Sequence, residues 1–219
     1  MQNNETRKKV IETAIEMFNE IGCRAVTMDS IAAKLKISKR TLYEVFDNKE
    51  ALLMECIAEV HRFIVSKRLE NMKESQEPFL MALYIIRNET TLCLHYSKIL
   101  NDAKKCYPKL TNKLLKNYAK RFKEALMEVF IKAEECGDLR SDINIKDIVD
   151  TIAMNINIGI INSNPNDGIQ KKMLRETCYT FLRGLLSLNA ITRYDSNEDK
   201  FRKILESTNH FSLITNHQS

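Results

Sequence analysis

The 219 residues are enough for one sizeable domain or two small ones, and 44% hydrophobic residues is the composition of an ordinary globular protein. A formal net charge of +5 permits nucleic acid as a partner without demanding it, and no apolar run reaches the ~18 residues of a membrane span. Six scattered cysteines, with no Cys-x-x-Cys pair, fit reduced thiols in a cytoplasmic protein and argue against a disulfide framework.

Five glycines and three prolines leave long helices open almost everywhere, and alternating β-branched runs are scarce, so the expected fold class is all-α. Glu5 to Ile21 is the first amphipathic helix. Val10, Ile11, Ala14, Ile15, Phe18 and Ile21 recur at helical spacing, and Gly22 stands where a left-handed C-terminal residue belongs. The basic start of this helix, Arg7 to Lys9, fits a phosphate contact or an ordinary solvated terminus equally well.

Thr27 to Leu53 is the most informative stretch. Thr27 is a good N-cap with Asp29 in the first turn, and Ile31, Ala32 and Leu35 form an apolar face. Lys36, Ile37 and Ser38 make a turn, with Ser38 as the next N-cap. Lys39 to Phe46 then buries Leu42 and Phe46 and leaves Lys39, Arg40, Thr41 and Tyr43 near its exposed N-terminal end. Asp47 and Asn48 stop it, and Lys49 opens a longer helix. Two short helices joined this tightly suit a helix-turn-helix, whose second helix enters the major groove. A helical hairpin with merely solvated cations is the alternative reading of the same spacing.

The helix from Lys49 buries Leu52, Leu53, Cys56, Ile57, Val60 and Ile64, turns polar after Lys67, and ends between Asn71 and Glu77. Phe79 to about Leu100, Ser97 to Tyr107, and Leu110 to Glu135 are three further helices, the last closed by Gly137. Ile145 to Asn162 and Ile169 to Ile191 are apolar around more than one face, with the turn Ser163 to Gly168 between them. That surplus predicts a homodimer whose contacts include Ile152, Ile156, Gly159, Phe181, Gly184 and Leu185, the two glycines admitting close approach from inside their helices. Asp195 to Glu206 is a candidate last helix, before a loose tail. Tyr84, Asn88, Thr91, His95 and Asn155 are polar groups on otherwise apolar helices; they are candidates to line a small-molecule cavity, and satisfied core or surface polars fit them as well. Gly-rich phosphate loops, zinc-ligand spacings and nucleophile elbows are missing, so the expectation is no enzyme, no metal and no cofactor.

TMDSIAAKLKISKRTLYEVFDNKEALL resembles the DNA-binding signature of the TetR family of bacterial regulators, through Thr27, Ile31, Ala32, Ser38, Thr41, Leu42, Tyr43, Phe46, Lys49, Glu50 and Leu53. Two positions depart from it: Lys36 and Arg40 stand where the family often has glycine. A positive φ at Lys36 would be strained, and Arg40 puts a long side chain at the groove. The resemblance implies a three-helix head at 1–48, a connecting helix at 49–77, a ligand-binding and dimerising helical body at 78–208 and a tail at 209–219. It also implies a homodimeric repressor of a near-palindromic operator in double-stranded DNA, released by an unidentified small-molecule effector, with no membrane role. The expected DNA contacts are Thr27, Ser38, Lys39, Arg40, Thr41, Tyr43 and Lys49. CGDLRSDIN, from Cys136, and FLRGLL, around Gly184, resemble the loop before the dimerising helices and the interface helix of that family. A helical protein–protein interaction module without DNA binding is the competing expectation.

Overall fold

The computed structural model describes residues 2–72, 77–162 and 180–195. They form α1 (Gln2–Ile21), α2 (Met28–Leu35), α3 (Lys39–Val45), α4 (Lys49–Met72), α5 (Pro78–His95), α6 (Ser97–Cys106), α7 (Pro108–Glu135), α8 (Ile145–Asn162) and α9 (Leu188–Asp195). Among the described residues there is no strand, only an isolated bridge between Leu139 and Leu186. No described helix is long and apolar enough to cross a membrane. The turn expected at 163–168, the first part (169–179) of the helix expected from Ile169 to Ile191, the part beyond Asp195 of the helix expected from Asp195 to Glu206, and the tail lie outside the described residues.

The chain divides into two compact units. One holds the described residues of Met1–Phe63 with His95–Lys116, the other those of Ile64–Leu94 and Asn117–Phe211. In the first, α1 packs on α2, α3 and α6. Val10, Ala14, Phe18, Ile31, Leu42, Leu52, Leu53, Ile57 and Ile99 are fully buried, those of α1 to α4 on the faces that periodicity predicts, whereas Ile21, expected on the apolar face of α1, is 51% exposed at its end. The unit extends past the head boundary expected at residue 48, because α6 grips the C-terminal end of α1. Asn19 Nδ2 donates to the His95 carbonyl (2.9 Å), Lys98 Nζ to the Glu20 carbonyl (2.5 Å), and the Cys23 amide to Asp102 Oδ2 (3.0 Å). Gly22, at φ +88°, is required there twice over: a Cβ would sit in a left-handed conformation and 2.6 Å from Asp102 Oδ2. Burial pushes the Cys23 thiol up to about 12, so it packs as a neutral side chain.

Arg7 is held against its own unit rather than frayed. It donates to the Val45 carbonyl at 3.3 Å, pairs with Glu55 at 3.3 Å and lies 4.4 Å from the centre of the Phe46 ring, tying α1 to α3 and α4. Lys9 is taken by Glu5 at 2.7 Å.

The second unit is built on Phe79, Leu83, Ile86, Phe122, Leu126, Val129, Phe130, Val149, Leu182 and Leu186. Its α4 residue Arg68 is buried, paired with Glu89 at 2.8 Å and lying over the Phe122 ring. The helix expected to run unbroken through Gly184 to Ile191 is interrupted. Helical structure reaches Arg183, Gly184 and Leu185 turn, and α9 starts afresh at Leu188. The stop is tertiary in origin. The Arg140 amide donates to the Leu185 carbonyl (3.0 Å), the Ser187 amide to the Asp138 carbonyl (2.8 Å), and Ser187 Oγ both donates to the Gly137 carbonyl and caps α9 through the Ala190 amide. Asp138, buried in this knot, accepts from Arg193 and from the Tyr194 hydroxyl.

Smaller boundaries also moved. Tyr96, at φ −100° and ψ 16°, breaks the helix expected to reach Leu100, so α5 ends at His95. Helix α7 starts two residues earlier than its apolar pattern, at Pro108, where a missing N–H costs nothing.

Candidate nucleic-acid interface

Helices α2 and α3 are short, so their caps hold them. The Ser30 amide donates to Thr27 Oγ1 (3.0 Å) and the Thr27 amide returns the bond to Ser30 Oγ (2.9 Å), a closed capping box. At the other end Lys36 takes φ 55° and ψ 39°, the left-handed conformation that a glycine would hold without strain. The Ile37 amide then reaches back to the Ala32 carbonyl at 3.1 Å, and Ile37 tucks in half-buried. Ser38 Oγ accepts the Thr41 amide (3.0 Å) and starts α3. Leu42, fully buried, is the one buried residue within α3, and Phe46 is buried just past its end. The opposite side of α3 is left to solvent.

That solvent side carries Lys39, Arg40 and Tyr43, with Ser38 exposed at the turn and Thr27 exposed at the start of α2. Tyr43 is 48% exposed, unusual for a side chain of its size, and its aromatic edge and hydroxyl are open to a partner. Lys39 Nζ is held 2.6 Å from Asp29 Oδ2 and Arg40 Nε 3.0 Å from Glu44 Oε1. The Asp29 carboxylate raises Lys39 above the usual lysine range, so its charge is secure at neutral pH. Thr41 is half-buried and its hydroxyl lies 2.8 Å from that of Ser38, so its hydrogen bonds serve the turn first. Lys49, half-buried, opens α4, whose start is capped by Asn48 Oδ1 accepting the Ala51 amide at 2.8 Å. Sequence reasoning passed over Asp29 and Glu44 as partners of the two cations; the i, i+4 spacing of Arg40 and Glu44 was the available signal.

The other expected sites are dispersed. Tyr84, Asn88, Thr91 and Asn155 belong to the second unit and His95 to the first. Asn88 is buried, its Nδ2 3.5 Å from the Lys67 carbonyl and its Oδ1 without a partner. Asn155 and His95 are exposed. Of the expected dimer contacts, Ile152, Ile156 and Leu185 are buried in the core of their own unit, Phe181 packs partly against it, Gly184 is exposed in its turn, and Gly159 lies in α8. A Cβ on Gly184 would meet the Phe181 and Thr180 carbonyls of its own turn, at 3.3 and 3.5 Å. Among the described residues no group of His, Cys, Asp or Glu is arranged to hold a metal.

Comparison with known proteins agrees with this geometry. Residues 10–56 match the family described as bacterial regulatory proteins, tetR family. The chain is 30% identical over 76 residues to the uncharacterized HTH-type transcriptional regulator YhgD of Bacillus subtilis, covering 35% of this chain and 38% of that one. It is 31% identical over 65 residues to IcaR of Staphylococcus epidermidis, the negative transcriptional regulator of the biofilm operon icaADBC, covering 30% and 35%. The chain thus spans between 18% and 38% of the length of the curated relatives it matches. The fold extends further: CprB of Streptomyces coelicolor, solved with its biological operator sequence, superposes with a TM-score of 0.65 at 18% identity, covering 93% of this chain and 99% of that one. The match over residues 10–56 supports the tetR family of bacterial regulatory proteins for the head of this chain, and the all-helical fold is the one CprB shares.

Proposed function

We propose that this protein is a DNA-binding transcriptional regulator that acts as a dimeric, ligand-responsive repressor on a near-palindromic operator. The observation that carries the reading is the solvent side of α3, where Lys39, Arg40 and Tyr43 project from a helix fixed by Ser38, Leu42 and the left-handed turn at Lys36. In a major groove, Arg40 suits the O6 and N7 acceptors of guanine, and Lys39 and the Tyr43 hydroxyl suit base edges or nearby phosphates. Thr27, Ser38 and Lys49 would meet phosphate at the starts of α2, α3 and α4. IcaR is named a negative regulator and CprB was solved on an operator, which supports repression and operator binding here. The effector acts by differential affinity: it must favour a head spacing that does not fit B-DNA. Asn88, buried with an unpartnered Oδ1, is the strongest of the proposed cavity residues.

Mobility shift on genomic fragments across a salt series tests the reading. Binding should weaken steeply with salt as counterions are released, and Lys49→Ala should lower the slope by about one. Affinity that is flat from low to moderate salt would favour the protein–protein module instead.

A further inference from the structure

One stretch outside the helix-turn-helix departs from the charge pattern of the rest. From Ala103 to Lys123 the chain holds eight Lys or Arg and no Asp or Glu; the remaining 26 Lys and Arg are outnumbered by 29 Asp and Glu. Elsewhere most exposed lysines with a described environment stand beside carboxylates, Lys9 by Glu5, Lys34 by Glu16, Lys132 by Glu128 and Lys146 by Asp150, with Lys36 in the helix-turn-helix an exception. Lys104, Lys105, Lys109, Lys113 and Lys116 are exposed, and among the described residues none has an ion-pair or hydrogen-bond partner. Pairing resumes only at Lys120, with Glu124, and Lys123, with Asp150.

The fold gathers these five lysines at a corner. Lys104 and Lys105 end α6, and α7 begins at Pro108. The buried Thr111 hydroxyl closes the corner, 2.8 Å from the Tyr107 carbonyl and 3.1 Å from that of Ala103. Lys109, Lys113 and Lys116 then follow at i, i+4 and i+7, one stripe along α7. The first turn of α7 has no acidic residue, so Lys109 adds to the positive end of the helix dipole. Like charges at this spacing repel, and a polyanion relieves the repulsion.

We propose that this corner is a second phosphate-binding surface, which takes the backbone of duplex DNA outside the segment read by α3. The proposal rests on the regulator reading. Three observations favour DNA. The corner belongs to the same compact unit as the helix-turn-helix. All five groups are lysines, compact point charges that suit phosphate without the planar fork of arginine. A membrane-surface helix needs a broad apolar face beside its cations, whereas Leu110 is the one large hydrophobic exposed between Lys104 and Lys116.

The test uses the full chain and mixed-sequence duplexes, one short and one long enough to extend past the head. Lys109→Gln with Lys113→Gln keeps helix propensity and removes two charges. On the long duplex this double variant should lower the salt slope by about 0.9 for each phosphate no longer neutralised, so by about 0.9 to 1.8, and on the short one it should match wild type. The control, Lys132→Gln with Lys146→Gln, should leave both slopes unchanged. An unaltered slope for the corner variant on the long duplex overturns the proposal, as does an equal fall in the control, which would show bulk charge only. Loss of binding to phosphatidylserine vesicles with the duplex slope retained also overturns it and assigns the corner to a membrane surface. Wild-type binding that depends on Lys39 and Arg40 but ignores the corner removes this proposal alone. Failure of the wild type to bind any duplex removes the regulator reading with it.

Discussion

At α3 two side chains of opposite sign share each exposed position that matters. Arg40 is held by Glu44 and Lys39 by Asp29, and all four groups are largely exposed. Exposed pairs of this kind contribute little to stability, so exchanging a carboxylate partner for a guanine edge or a phosphate costs little. On a duplex selected by the wild type, Arg40→Ala should lose about 1–3 kcal/mol and relax preference at one position per half-site. An equal loss on every sequence would make Arg40 a phosphate clamp.

Two left-handed residues control the ends of two helices, and they are not equivalent. Lys36 holds φ 55° with a side chain, at a strain of roughly 1–2 kcal/mol, because the Ile37 amide bond back to Ala32 and the Ser38 cap that follow it require that turn. Lys36→Gly should therefore stabilise the fold by up to about 1 kcal/mol after the extra chain entropy of glycine is offset, read as a higher urea midpoint of unfolding. A lowered midpoint would mean that the lysine side chain stabilises the fold by more than its backbone strain costs. Gly22 is the reverse case. Gly22→Ala combines the same backbone strain with a Cβ pressed against Asp102, so it should destabilise by at least about 2 kcal/mol. Asp102→Ala should relieve part of that destabilisation, because the two changes act on one point of contact; strictly additive effects in a double-mutant cycle would contradict it.

For the whole molecule the question is association. The residues first expected to meet a symmetry mate, Ile152, Ile156 and Leu185, fill their own unit. Apolar surface remains at Met154, 57% exposed on α8, and at Leu188, 83% exposed at the start of α9. Sedimentation equilibrium should find a dimer at micromolar concentration. Met154→Lys with Leu188→Lys should weaken it at least tenfold, whereas Gly184→Glu should do so only if its turn lies in the contact. In the dimer the two α3 helices should address half-sites about 34–36 Å apart, or a multiple of that, and footprinting would read the spacing directly. A wild type that sediments as a monomer would remove the dimeric part of the proposal.

Local chemistry makes most of the helix-turn-helix legible in the linear sequence. Thr27 and Ser38 cap because their hydroxyls reach amides three residues on, Leu42 is buried because it lies on the apolar side of a short helix, and Gly22 ends α1 because it alone accepts that φ without strain. All of these depend on neighbours a few residues away, and a linear pattern contains such neighbours. What tertiary structure alone decided involved partners far apart in sequence. Arg7 is 48 residues from Glu55 and became a half-buried tie between helices, where its sequence neighbours fitted a phosphate contact or a solvated terminus equally well. Gly184 left its expected helix because Arg140 and Asp138, more than 40 residues earlier, claim the backbone on either side of the turn. Asp102 explains the need for Gly22 across 80 positions. Periodicity states that a residue will be buried, but not against what; for Ile152, Ile156 and Leu185 the same apolar signal served a monomer core and a dimer interface alike, and only packing separates the two.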